Sequence, residues 1–194
     1  LRAAGYEVTV LCPRGKGYEQ GYEQLAGIHI YRHPSPHEGS SPLGYVWEYS
    51  SALFWEFLYA WRLFLKHGFR VIQGCNPPDN IFLVALPFKL FGVKYIFDHH
   101  DVNPELYYSK YERKDLFYKI QVLLERLTFF FSNVVISTND SYKSIAVSRG
   151  GLDPRHVFVV RNGPDLATFR PVEPRPELRY GKRHLVGYVG TMNF

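Results

Sequence analysis

Two histidines and two acidic residues directly follow one apolar run of this chain. They lie in the segment "IFDHHDVNPE", residues 96–105, as Asp98, His99, His100 and Asp101. Imidazole and carboxylate groups can exchange protons, hold a metal ion or hydrogen-bond a polar ligand. Three interpretations therefore have to be compared: a metal site, a structural loop, and the rim of a ligand cleft.

The geometry of a strand argues against a metal site in this segment. Successive side chains point to opposite faces, so Asp98 and His100 would share one side, and His99 and Asp101 the other. Either pair is too small for a closed metal site unless other loops contribute. We therefore predict no metal here. A structural role stays open for half of the four residues, with His99 packed under a helix and Asp101 capping one.

The end of the segment, Asn103-Pro104-Glu105, is typical of a helix start. Asparagine is favoured at the N-cap and proline at the first helical position. The free amide donors of such a start would face the same edge as the histidines. They favour an anionic group there.

The elements that must position these residues alternate between strand and helix. Short β-branched or aromatic runs bounded by turn signals predict six strands, and patterns between most of them predict helices. This alternation predicts an α/β fold, a Rossmann-like open and mainly parallel sheet flanked by helices. The predicted strands are residues 6–12, 27–32, 70–75, 93–99, 132–138 and 156–162, and the predicted helices are residues 44–67, 78–91, 113–131 and 140–150.

Ligands of open parallel sheets bind outside the carboxyl ends of the strands, so the residues that follow each strand are candidates. Besides the histidine segment, these loops hold Asn76, Asn139 and Asn162. Each loop also has a structural interpretation: a helix start at Pro77-Pro78-Asp79, helix capping by Ser137 or Asn139, and a turn at Asn162-Gly163. Dinucleotide-binding, P-loop and GxSxG nucleophile motifs do not occur, which argues against the usual sites for those chemistries.

Composition narrows the classes of partner. The 194 residues carry a formal charge of +5, but the basic residues are scattered, so we expect no nucleic-acid partner. A mildly basic surface suits phosphate-bearing ligands or anionic lipid. The two cysteines, Cys12 and Cys75, do not suggest a disulfide framework and indicate a reducing, cytoplasmic setting. The uncharged run from Leu127 to Asn139 is shorter than the roughly 18 residues of a membrane span.

The predicted helix of residues 44–67 has an unusual surface. Its charges fall within about a third of its circumference, and most of the rest is aromatic. One interpretation is a helix buried against the sheet, and the other is a partly exposed aromatic face that rests on a membrane. The charged residues are Glu48, Glu56, Arg62 and Lys66.

Both ends of the chain suggest further elements. Gly5 is typical of the residue that ends a helix, and a helix that leads into a strand normally follows an earlier strand. We therefore expect an earlier βα unit. Its strand would lie between the strands of residues 6–12 and 70–75. We expect residues 1–163 to form a domain that lacks this unit. Residues 164–183 are rich in proline and predict a linker, and residues 184–194 predict the first strand of another domain.

Five pieces of the chain, in this order and spacing, carry a family resemblance. They resemble the N-terminal, acceptor-side half of retaining glycosyltransferases of family 4, which have the two-domain GT-B fold. The resemblance covers nearly the whole chain. The matching pieces are "AGYEVTVLCP", "DHHDVNPE", "NVVISTND", "VVRNGPDLATFRP" and "LVGYVGTM".

The resemblance implies a nucleotide-sugar donor held mainly by a second domain and a sugar or lipid-linked acceptor held by this one, with no cofactor. It implies that His100, or as the alternative His99, lies near the anomeric carbon, and that the leaving diphosphate takes the acceptor proton. The expected acceptor-binding residues are Asn76, His99, Asp101, Glu105 and Asn139, and the expected donor-binding residues are Asn162, Gly190 and Thr191.

Two parts of the family pattern are absent from the sequence. They are the glycine-bearing loop after the first strand and the carboxylate-bearing motif of the second domain, so we expect this chain alone to be inactive. We expect the protein to act in cell-surface polysaccharide or glycoconjugate synthesis, in the cytoplasm at the inner face of the membrane. A GT-B nucleotide-sugar epimerase and a non-catalytic binding module are the alternatives.

Overall fold

The chain divides into two compact units, Leu1–Arg161 and Asn162–Phe194. A computed structural model describes residues 1–34, 42–164, 167–170 and 172–188. The strands are β1 (Thr9–Pro13), β2 (Tyr22–Leu25), β3 (Ile28–His33), β4 (Val71–Cys75), β5 (Lys94–His99), β6 (Val134–Ser137) and β7 (Val157–Val159). The helices are α1 (Pro42–His67), α2 (Phe82–Lys89), α3 (Asn103–Tyr111), α4 (Leu116–Phe131) and α5 (Asp140–Ser148).

The larger sheet of the first unit has the strand order β4-β5-β6-β7, and every neighbouring pair is parallel. Helices α2, α4 and α5 pack against it. The predicted Rossmann-like α/β fold is confirmed. Because the strands are parallel, their carboxyl ends and the loops that follow them lie at one edge of the sheet.

A second sheet has the order β1-β3-β2, with β1 parallel and β2 antiparallel to β3. Strand β2 was not predicted, because its residues, Tyr-Glu-Gln-Leu, have little alternation or β-branching. It joins β3 through Ala26 and Gly27, whose φ angles are 50° and 77°. Two positive φ values in a two-residue loop are those of a tight hairpin turn.

Strands β1 and β4 belong to different sheets, and no described strand lies between them. That a preceding βα unit fills this place stays a prediction. Cys12 in β1 and Cys75 in β4 are both free thiols.

The core lies on the larger sheet and is mainly aromatic. Phe88 of α2, Phe97 of β5 and Phe129 of α4 are each fully buried. Helix α1 packs on α2 and also on β1 and β3 of the smaller sheet, so it connects the two sheets. Its Trp61 ring lies 4.8 Å from the Phe88 ring. Burying aromatic side chains of this size contributes about 1.5–3 kcal/mol each.

Helix starts near the sheet edge were predicted with mixed success. Asn139 caps α5, as expected, by accepting a hydrogen bond from the Tyr142 backbone N–H at 3.0 Å. Helix α3 begins at Asn103, so Val102 and not Asn103 occupies its N-cap. The Asn103 amide instead donates to the carboxylate of Asp79, which draws it inward.

In the second unit, the described residues contain a short 3-10 helix, Pro176–Arg179. The strand predicted from His184 is not formed over residues 184–188. The remainder of that predicted strand, with Gly190 and Thr191, lies outside the described residues.

Candidate active site at the ends of strands β4 and β5

The two histidines at the end of β5 point in different directions. His99 is fully buried, whereas about a third of the His100 side chain is exposed. This opposition was predicted from the strand geometry and is confirmed. It gives the sheet edge one packed imidazole and one that a ligand can reach.

His99 lies among aromatic rings. The centroids of Phe97, Phe129 and Tyr142 are 5.6, 5.2 and 5.2 Å from its own. Burial lowers the pKa of His99 to about 4, and the positive charge of Arg149 acts in the same direction. The imidazole is therefore neutral near pH 7. The burial of the ring favours the structural interpretation of His99, and its acceptor-binding role stays a prediction.

Asn76, directly after β4, ties two loops together. Its Oδ1 accepts hydrogen bonds from the backbone N–H groups of His100 at 2.8 Å and Asp101 at 3.1 Å. Its Nδ2 donates to Asp79 Oδ1 at 2.8 Å and to the Asp101 carbonyl at 2.6 Å. The side chain is buried, with both atoms used inside the protein. Asn76 therefore supports the loop, and its direct contact with an acceptor stays a prediction.

Asp79 forms the next layer of this network. Its carboxylate accepts from the amides of Asn76 and Asn103, and its backbone carbonyl accepts from the Thr128 hydroxyl of α4. Burial raises the pKa of Asp79, while the two amide donors oppose that shift. The network thus connects the ends of β4 and β5 to the first turn of α3 and to α4.

His100 is in contact with Asp98, which is partly exposed and is itself bound by the exposed Gln73. Its Nε2 lies 3.1 Å from Asp98 Oδ1. Gln73 in turn donates from Nε2 to Asp98 Oδ2 at 2.8 Å. The Cys75 thiol lies beside them, and burial together with Asp98 and Asp101 raises its pKa to about 11. It is therefore a protonated thiol near pH 7.

Glu105 of α3 is engaged by Arg149, which follows α5. Arg149 pairs with Glu105 and, at 2.9 Å, with the buried Glu125 of α4. Burial raises the pKa of Glu125 to about 7, although the Arg149 charge opposes this. Arg149 thus joins three helices behind the histidines. The sequence analysis missed it, since nothing local distinguishes it from other surface arginines.

The remaining predicted site residues differ in their exposure and in their distance from His100 along the chain. Asp101 is exposed next to His100, and Asn139 is partly exposed after β6 with its amide also donating to the Thr138 hydroxyl at 3.3 Å. Asn162 is exposed and belongs to the second unit. The edge after β4 and β5 therefore brings together His100, Asp101, Asp98 and Cys75.

Comparison with known families agrees with this fold. The model of Glycosyltransferase Family 4 matches residues 1–168, and the chain belongs to that family. Membership supports a glycosyltransferase type of function with sugar donor and acceptor partners. A search of curated proteins gave no significant match. Among the described residues, no helix has the length and apolar character needed to cross a bilayer.

Replacing Asn76 by alanine should destabilise the protein strongly. The change leaves buried backbone and carboxylate groups without partners, which costs about 1–3 kcal/mol per unsatisfied group. Asn103→Ala removes only one donor to Asp79 and should cost about 1 kcal/mol. Urea unfolding curves of both variants measure these losses. Equal losses in the two variants would contradict the central position of Asn76.

The acid dependence of stability should fall when His99 is replaced by phenylalanine. His99 has a pKa of about 4 when folded and an ordinary value near 6.5 when unfolded. Its contribution is present above pH 6.5 and is lost as the pH falls towards 4. This amounts to about 1–2 kcal/mol between pH 7 and pH 5.

Urea unfolding of the wild type and His99→Phe at pH 7 and pH 5 measures this difference. Glu125 has a raised pKa and acts in the opposite direction, so only the difference between the two proteins isolates His99. Parallel stability curves for the two proteins would refute the assignment.

Proposed function

We propose that this chain is the acceptor-side domain of a retaining glycosyltransferase, which moves a sugar from a nucleotide-sugar donor to a sugar or lipid-linked acceptor. The observation that carries the proposal is His100, held at the carboxyl end of a central strand with its imidazole partly exposed. Cell-surface polysaccharide or glycoconjugate synthesis is the proposed setting. Most of the donor would be held by a second domain.

His100 is suited to a role at the transferring sugar. Asp98, which accepts a hydrogen bond from Gln73, contacts the His100 ring before any ligand arrives. A neutral imidazole that donates its Nε2 proton to Asp98 keeps Nδ1 as a hydrogen-bond acceptor, which fits a sugar hydroxyl. Groups oriented in advance contribute most in the transition state, because they do not reorganise during the reaction.

The proposed chemistry needs no protein nucleophile. The leaving diphosphate would take the proton of the acceptor hydroxyl on the face where the new bond forms, with retention at the anomeric carbon. The enzyme would then supply positioning and electrostatic stabilisation. The amino end of α3 at the same edge is compatible with a phosphate-bearing ligand.

The other proposed residues would contact either the acceptor or the donor. Asp101, Glu105 and Asn139 are the proposed acceptor contacts. Glu105 is partly exposed but paired with Arg149, so an acceptor hydroxyl would share its carboxylate with that guanidinium. Asn162, Gly190 and Thr191 remain proposed donor contacts.

The two alternative functions would give products that differ from those of a glycosyltransferase. A GT-B epimerase would convert a nucleotide sugar without an acceptor, and a binding module would convert nothing. The natural full-length protein should be incubated with a mixture of nucleotide sugars, with and without acceptor. Mass spectrometry of the products then distinguishes the three. Acceptor-dependent sugar addition supports the proposal, while acceptor-independent isomerisation or no conversion overturns it.

In the full-length protein, His100→Ala should lower turnover by about 10² to 10³, the range for one hydrogen bond oriented towards the transition state. Donor affinity should change little. His99→Ala should act mainly on stability, since its ring is packed among aromatic side chains. Steady-state transfer assays measure both variants after thermal melting has established that each is folded.

A fully active His100→Ala enzyme would remove His100 from the proposed site. A stable but inactive His99→Ala enzyme would mean that the buried histidine is the important one. Asp98→Asn serves as an intermediate variant, because it keeps the shape but weakens the orientation of the His100 ring.

Peripheral membrane contact through α1 is a second part of the proposal. Trp47, Phe54, Leu58 and Leu65 are all exposed, at 68%, 57%, 42% and 78%. Their spacing of seven, four and seven residues puts them on one stripe of the helix. An apolar stripe of this kind on a positively charged protein suits the surface of an anionic membrane, where a lipid-linked acceptor would reside.

Phe54→Glu should weaken sedimentation with anionic liposomes by about tenfold or more, because a buried Phe contributes about 1.5–3 kcal/mol. Phe54→Leu is the matched control, since it keeps an apolar side chain at the same exposed position. The wild type and Phe54→Leu should pellet with the lipid. Equal recovery of the wild type in the supernatant with and without lipid would disprove the contact.

A further inference from the structure

Three side chains with metal-binding chemistry meet at the sheet edge. Cys75, Asp98 and His100 each offer one ligand atom, and these atoms lie within 4.8 Å of one another. Residues 98 and 100 share a side of β5, as the alternation of strand side chains requires. Cys75 is opposite Asp98 in the parallel register of β4 and β5. The neighbouring strand therefore supplies the third ligand that the histidine segment alone lacks.

The combination of sulfur, nitrogen and oxygen donor atoms favours zinc and similar transition metals over calcium and magnesium. Thiolate, imidazole and carboxylate are the ligands that zinc uses, whereas calcium and magnesium prefer oxygen alone. Zinc bond lengths of about 2.0–2.3 Å put tetrahedral ligands about 3.3–3.7 Å apart. The Nε2–Oδ1 pair of His100 and Asp98, at 3.1 Å, already has nearly that spacing. Three protein ligands leave a fourth position for water or a ligand.

The electrostatic surroundings favour a cation. Asp98 belongs to the cluster and the exposed Asp101 directly follows His100, so two carboxylates lie at this end of the sheet. A divalent ion would offset this concentration of carboxylates. It would also bind sulfur as the thiolate, displacing the proton of the thiol.

The cluster is supported by a second layer of hydrogen bonds. Gln73 donates to Asp98 Oδ2 at 2.8 Å, so that Oδ1 faces His100. Asn76 accepts from the His100 backbone N–H at 2.8 Å and thereby fixes the start of the loop. Such outer contacts orient metal ligands and typically change affinity by about 10- to 100-fold when removed.

We propose that Cys75, Asp98 and His100 form a binding site for a zinc-class transition-metal ion at the carboxyl ends of β4 and β5. The site shares His100 with the proposed glycosyltransferase function. Its test is therefore spectroscopic and independent of sugar transfer, so that failure of one proposal does not imply failure of the other.

The experiment is a titration of the purified, reduced chain with Co²⁺, which replaces zinc and absorbs in the near ultraviolet when bound to a thiolate. The wild type should develop this sulfur-to-cobalt band, and added Zn²⁺ should abolish it. Cys75→Ala should not develop the band. Cys12→Ala is the matched control, since it removes the other cysteine, in β1, and should titrate like the wild type.

Asp98→Asn and His100→Ala keep the sulfur ligand but lose a direct ligand, so they should weaken Co²⁺ binding by at least the roughly 10- to 100-fold that loss of an outer contact costs. Circular dichroism establishes folding of each variant before titration. Absence of the band in the wild type would overturn the proposal, even if Cys75→Ala failed to fold. A band that persists in Cys75→Ala or disappears in Cys12→Ala would equally overturn it.

Discussion

The buried side chain of Asn76 is the interaction on which the geometry of this sheet edge depends. An amide taken out of water loses several kcal/mol unless its donors and acceptor are all paired. Asn76 meets this condition through bonds to His100, Asp101 and Asp79, which come from two separate loops. Those loops can adopt their positions only together, because each completes the hydrogen bonding of the same amide. The direction in which the chain leaves β5, and hence the position of His100, follows from this requirement.

The alternation of side chains along a strand then gives the two neighbouring histidines different roles, one in packing and one at the accessible edge. His99 enters the aromatic core, where burial keeps it neutral and where Phe97 and Phe129 hold it. His100, one residue later, faces outward beside Asp98. Two residues of the same type thus acquire unrelated properties from a shift of about 3.3 Å along the chain. Helix α3 begins immediately afterwards, and its Glu105 is fixed from behind by Arg149.

Much of the fold followed from local patterns in the sequence, while the contacts of the site did not. Apolar runs and turn residues identified the strands of the larger sheet, and alternation with helices indicated that they are parallel. Strand β2 was missed because a hairpin held by Ala26 and Gly27 does not need strong β-formers. The roles of Asn76 and Arg149 depend on partners 24 to 44 residues away, which no local spacing encodes. Cys75 was not predicted as part of the site, since only the register of β4 on β5 puts it beside Asp98.

The two states proposed for His100 require different tautomers of its ring. When Nε2 carries a proton and donates to Asp98, Nδ1 is an acceptor and can receive a hydrogen bond from a sugar hydroxyl. When Nε2 coordinates a metal ion, that nitrogen has no proton, and the neutral ring carries its proton on Nδ1. Nδ1 would then donate instead of accept. Asp98 cannot both accept from Nε2–H and share an ion with that nitrogen, so metal binding and the hydrogen bond from Nε2 to Asp98 exclude each other. A sugar hydroxyl would therefore donate to Nδ1 of the metal-free ring and accept from Nδ1 of the metal-bound ring.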